Sequence, residues 1–129
     1  MNAGWCGLMA VLAGGMAAAT DAPPLGYFAG AYRVAGQDAA GKPISGTASI
    51  AEHGTTAGSL SLRLCPGGSG RLQVRDRVEE PQSLTGTLNG GQVLCLFTSN
   101  ADNYPVLSCR GPGPLLLVFW PDPQGDGCH

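Results

Sequence analysis

The sequence predicts an all-β fold: a small antiparallel meander of about eight strands, closing as a barrel or, alternatively, folding as a two-sheet β-sandwich. Three observations predict it. Apolar residues alternate with polar ones in short runs, and no window carries a sustained 3.6-residue period. The 129 residues include 21 Gly and 10 Pro, the two residue types that disfavour helix most. Clusters of turn residues separate the alternating runs at short, regular intervals.

The first run pairs Phe28, Gly30, Tyr32 and Val34 on one face with Ala29, Ala31 and Arg33 on the other. The second sets Ile44, Gly46, Ala48 and Ile50 against Ser45, Thr47 and Ser49. The third sets Leu60, Leu62 and Leu64 against Ser59, Ser61 and Arg63, and the fourth sets Leu72 and Val74 against Arg71, Gln73 and Arg75. Four more runs follow at 84–88, 91–97, 106–110 and 115–120. Turn residues fill the gaps at 38–43, 53–58, 66–70, 79–83, 98–105 and 111–114. Between the fifth and sixth runs stands Asn89-Gly90, the pair that supplies the two positive φ angles of a type I′ hairpin turn. Consecutive hairpins need no crossing connection, and closing the meander into a barrel buries its apolar face without leaving edges.

The segment before the first strand reads as an address. Residues 4–19 carry no charge and consist mostly of small and apolar side chains. The run is shorter than the roughly 20 residues of a membrane-spanning helix. It ends in Ala17-Ala18-Ala19, which suits signal-peptide cleavage. No Lys or Arg precedes it, a departure from the usual pattern, and Trp5 before Cys6 does not suit a lipoprotein anchor. The expected organisation is a signal peptide at 1–19, a Pro-containing lead-in at 20–26, a single β domain at 27–120 and a flexible C-terminal tail at 121–129. No stable transmembrane segment remains after processing, and the expected location is secreted or periplasmic.

Trimming changes the cysteine arithmetic from five to four: Cys65, Cys95, Cys109 and Cys128. An even set in an exported chain reads as two disulfides. Cys95 and Cys109 lie equally far from Asp102, the centre of the sixth-to-seventh hairpin, which places them opposite each other on paired strands. Cys65 and Cys128 are left to tie the tail to the body. No C-x-x-C pair occurs, so neither a zinc ribbon nor a thioredoxin-type motif is supported.

Composition argues against several functions. A net charge of −2 and a pI near 5.5 give no support for a general attraction to nucleic acid or to a membrane surface. The two histidines, His53 in a turn and His129 at the end of the sequence, do not form a catalytic constellation, and no G-x-S-x-G elbow exists. The adjacent Glu79 and Glu80 sit on a turn rather than facing each other across a substrate. Pro66–Gly70 lacks the Lys-Ser/Thr of a phosphate-binding loop. The stretch 122–127 lacks the alternating acids and closing Glu of a calcium loop. No metal or cofactor is expected, and the chain is not expected to be an enzyme.

Binding chemistry points to two places. Arg63, Arg71, Arg75 and Arg77 fall on one face of the third and fourth strands, a side-by-side arginine ladder suited to a phosphate, a sulfated glycan or an acidic partner surface. Tyr104, in the polar 98–105 loop, and Trp120, at the end of the last strand, are the exposed aromatic candidates. The expected function is an exported, non-enzymatic domain that binds a macromolecular partner through its loops. The partner is a protein such as a hydrolase to be inhibited, or an envelope component. The alternative is a carrier of a small apolar ligand inside the barrel. A solvent-shielded internal pocket favours the carrier, and a filled interior with Tyr104 or Trp120 exposed favours the partner binder.

Overall fold

The computed structural model describes residues 24–53, 58–65, 67–75 and 83–128. The expected signal peptide at 1–19 therefore lies outside the described residues. So do Arg77, the Glu79–Glu80 pair and His129.

Eight strands form: β1 (Gly30–Gln37), β2 (Pro43–Glu52), β3 (Ser59–Cys65), β4 (Ser69–Arg75), β5 (Ser83–Leu88), β6 (Gly91–Ser99), β7 (Pro105–Arg110) and β8 (Leu116–Pro121). Each pairs antiparallel with the next, and β8 returns to β1, so the sheet closes into a barrel in strict chain order. Closure buries the apolar face that the alternation creates. Tyr32, Val34, Ala48, Ile50, Leu60, Leu62, Leu64 and Leu72 point inward, as do Leu84, Leu88, Val93, Leu107, Leu117 and Phe119, and all are buried. Every strand contributes to this one core cluster.

An eight-stranded barrel is narrow, so neighbouring backbones approach closely where it coils most tightly. Glycine occupies such points. A Cβ at Gly86 would overlap the Arg71 carbonyl oxygen of β4, and one at Gly36 would overlap the Leu116 carbonyl oxygen of β8. The turns use the residues their geometry requires. Asn89 (φ 51°) and Gly90 (φ 87°) both adopt positive φ between β5 and β6. The Asn89 side-chain oxygen also accepts the Ser69 N–H at 3.0 Å, linking this turn to the start of β4.

Two features differ from the sequence reading. Phe28 does not belong to the first strand. A short 3-10 turn (Leu25–Tyr27) precedes it and carries it into one mouth of the barrel, where it is fully buried. Its ring meets Phe97 at 5.0 Å and Tyr27 at 5.2 Å between centroids, both edge-on, a favoured aromatic arrangement. Period-two counting includes Phe28 because burial by a plug and burial by a strand look alike in sequence.

The second difference is the tail. Expected to be flexible, it turns back across the outer faces of β1 and β2. The Asp122 N–H donates to Ala31 O at 2.9 Å, Thr47 Oγ1 donates to Gly127 O at 3.2 Å, and the Cys128 N–H donates to Ser49 Oγ at 2.7 Å. The Cys65–Cys128 disulfide then joins the tail to β3. Gly and Pro there shape a fixed path around the barrel.

Tyr32 is the one phenol held inside. Its hydroxyl donates to Phe28 O at 2.6 Å, which ties β1 to the plug. Burial pushes its pKa well above the ordinary value, and neighbouring Tyr27 acts in the same direction. Folding thus favours the neutral phenol. The stability this contributes is fully present below the unfolded-state pKa of about 10 and is lost as pH rises above it towards the folded-state value. Tyr32→Phe should cost about 1 kcal/mol at pH 7, for the lost hydrogen bond. It should also flatten the decline in urea midpoint between pH 10 and 11.5. An equally steep alkaline decline in the variant would refute the assignment.

Candidate binding surface

The β6–β7 loop is built to hold Tyr104 out. Asn100 organises it: its side-chain oxygen accepts the N–H groups of Asp102 and Tyr104, both at 2.9 Å. The Asn100 backbone closes the loop by donating to Tyr104 O at 2.8 Å. Asn103 takes positive φ (66°), a conformation that Asn tolerates well among non-glycine residues. At the base of the hairpin, Cys95 stands opposite Cys109 in the register and the two form a disulfide. Side chains on such a loop lose little further freedom on binding.

Tyr104 is 43% exposed and Trp120 45% exposed. Trp120 faces outward on β8, opposite Arg33 of β1. Beside these residues opens a cleft of about 270 Å³, lined by Tyr27, Tyr32, Tyr104, Pro105, Pro121 and Pro123 among others. The loop, the end of β8 and the start of the tail thus meet at one mouth of the barrel. Across that mouth Tyr27 is hydrogen-bonded to Ser99, hydroxyl to hydroxyl, at 2.5 Å.

The wall around Trp120 holds residues that the sequence reading did not single out. Leu94 (43%) and Leu96 (50%) point outward from β6. The register aligns Leu96 with Ser108, Val118 and Ala35 across four strands. In the next row Leu94 aligns with Arg110, Leu116 and Gln37. A signal for Leu94 and Leu96 was present: if Cys95 faces Cys109, its two neighbours on β6 must share the opposite face. The run Val93–Phe97 is apolar on both parities, which by periodicity alone reads as buried on both sides.

The arginines lie on another part of the wall. Arg63 stands opposite Ser69, and Arg71 stands opposite Ser61 and Thr87, so the two are diagonal neighbours across β3 and β4. Arg75 closes β4 opposite Ser83. Ser69 and Ser61 stand opposite Arg63 and Arg71, and Asn89 lines the same shallow depression.

Among the described residues, no three His, Cys, Asp or Glu side chains gather to hold a metal ion. No helix among them is long and apolar enough to cross a membrane. Comparison with protein-family models, with curated proteins and with solved structures found no match.

Proposed function

We propose that this chain is an exported, non-catalytic β-barrel that binds a macromolecular partner through the Tyr104 loop and the adjoining Trp120 wall. One observation carries the reading. Two half-exposed aromatic residues project from a disulfide-pinned hairpin and its neighbouring strand, around a barrel whose interior is occupied by its own side chains. Rigid exposed Tyr and Trp are the usual anchors of protein interfaces. Side chains from all eight strands meet in one core cluster, which argues against an apolar cargo inside. Export is supported by the uncharged 4–19 segment and by two disulfides, which persist in oxidising compartments. A secreted or periplasmic hydrolase, or a component of the envelope, fits as the partner.

The test is affinity capture from the envelope and extracellular fractions, with the oxidised, trimmed protein as bait. It is run beside a Tyr104→Ala/Trp120→Ala variant of unchanged far-UV circular dichroism. A partner retained stoichiometrically by the wild type and at least tenfold less by the variant is the expected result, since two anchors of about 1–2 kcal/mol each correspond to that factor or more. A lipophile co-purifying with the protein, with no partner captured, would replace this reading with the carrier.

A further inference from the structure

We infer that the Cys65–Cys128 disulfide is a reducible latch on the binding cleft: a dithiol that opens it frees the tail, removes one wall of the cleft and releases the partner. This rests on the partner-binding reading and names a control of that same site.

The two disulfides differ in access. Cys95 and Cys109 are 0% and 1% exposed, inside the barrel. Cys65 and Cys128 are partly exposed, at the end of β3. Exchange requires a thiolate to reach a disulfide sulfur directly, so an external dithiol meets the second bond and not the first. One thiolate of the dithiol attacks a sulfur of the Cys65–Cys128 bond, which breaks as a mixed disulfide forms. The other cysteine leaves as a thiolate and takes up a proton. The second thiolate of the dithiol then displaces the mixed disulfide, closing its own disulfide and releasing the remaining cysteine as a thiol. Two electrons and two protons pass from the dithiol to the protein.

The bond pins the far end of a strap. At the near end the Asp122 N–H donates to Ala31 O at 2.9 Å. At the far end Thr47 Oγ1 donates to Gly127 O at 3.2 Å and the Cys128 N–H donates to Ser49 Oγ at 2.7 Å, beside the disulfide. These bonds lie at partly exposed positions and each contributes little net stability. With the disulfide closed, the tail is a loop fixed at both ends, with little freedom left to lose. With it open, the tail is a free end, and its ordering entropy outweighs a few such hydrogen bonds.

The strap is also a wall. Pro123 and Gly125 line the same cleft as Tyr27, Tyr32, Tyr104 and Pro105. The Gly125 N–H donates to Asp122 O at 2.8 Å, a turn that sets the tail's course beside β1. Release of the tail takes Pro123 and Gly125 away, and a partner seated against Tyr104 in the closed cleft loses that side of its contact. The barrel outlasts the change, because β8 pairs directly with β1 and the Cys95–Cys109 bond stays closed.

The experiment uses the chain without residues 1–19, because the barrel, its core and both disulfides lie wholly within residues 24–128. The protein is treated with dithiothreitol for increasing times and quenched with N-ethylmaleimide. Peptide mass spectrometry should show Cys65 and Cys128 alkylated about tenfold or more faster than Cys95 and Cys109. In the half-reduced protein the amide protons of Asp122, Gly125 and Cys128 should exchange quickly while the far-UV spectrum stays native. As bait on the envelope and extracellular fractions, it should retain about tenfold less partner than the oxidised protein. Cys65→Ser/Cys128→Ser should retain as little and should not respond to dithiothreitol, which separates the latch from any action of the reductant on the partner. The alkylated wild type carries the test if that variant does not fold.

Equal alkylation rates at the two pairs overturn the inference. So do tail amides that remain protected once Cys65 and Cys128 are alkylated. Equal capture by oxidised and half-reduced bait removes the latch and leaves the partner-binding reading standing. Capture by neither form removes that reading and the latch with it.

Discussion

Removing the Cys65–Cys128 disulfide, as Cys65→Ser/Cys128→Ser, should lower the stability of the barrel by up to about 4 kcal/mol and its melting temperature by roughly 15–20 °C. The bond closes a loop with a sequence separation of 63, and the chain-entropy account scales with the logarithm of that length. Removing Cys95–Cys109, with a separation of 14, should cost less, about 3 kcal/mol by the same account. The order of the two effects is the informative part. If pinning the β6–β7 hairpin contributed most through local strand pairing, Cys95→Ser/Cys109→Ser would be the more damaging change. Urea midpoints of the two double variants decide between these outcomes. Loss of the Cys65–Cys128 bond should also free the tail before the barrel opens. The amide protons of Asp122 and Cys128, which donate to Ala31 O and Ser49 Oγ, should then exchange quickly while those of β5 and β6 stay protected. Equal protection of both sets would mean that the hydrogen bonds alone hold the tail.

Most of the barrel was legible because strand alternation, turn residues and disulfide symmetry point the same way. Leu60, Leu62 and Leu64 between Ser and Arg fix the parity of β3 without ambiguity. Asn89-Gly90 marks a two-residue turn, and that sets the β5–β6 register at Leu88 opposite Gly91. Closure itself was not decided by pattern. A meander with one apolar face satisfies a sandwich equally well, and what favours the barrel is the set of close backbone approaches at Gly36, Gly70 and Gly86, which composition shows only as glycine. The candidate surface was half legible. Tyr104 stood out in a polar loop and Trp120 at a strand end. Leu94 and Leu96 were hidden in a run apolar on both faces. Alternation places Arg63 and Arg71 on one face but not their register, which makes them diagonal neighbours with Ser69 and Ser61 opposite them. The path of the tail was illegible, since hydrogen bonds from Thr47 and to Ser49 depend on contacts about 80 residues apart.

Phe28→Ala should destabilise the protein by about 3–5 kcal/mol, the range for deleting a fully buried aromatic ring, and should open the interior at the same stroke. Phe28 has no exposed surface and stands edge-on to both Tyr27 and Phe97. Its carbonyl receives the Tyr32 hydroxyl, so the residue is fixed through its backbone as well as its ring. Leu at this position should cost much less, under about 1.5 kcal/mol, because it keeps most of the apolar volume. A rival picture has the lead-in fraying from a barrel stable without it. In that picture Phe28→Ala would cost only about 1 kcal/mol, and Phe28→Leu would be indistinguishable from it. Chemical denaturation of both variants separates the two. The same substitution bears on function. Phe28 occupies the mouth through which a carrier would admit its cargo, next to a core that every strand fills. If the ring is a structural plug, the wild type should not enhance the fluorescence of an apolar dye, and the alanine variant should do so at concentrations of urea that leave its far-UV spectrum native. Dye binding by the wild type, displaced by long-chain fatty acid and unchanged by Phe28→Ala, would show that the interior already admits ligands by another route and would return the carrier reading to first place.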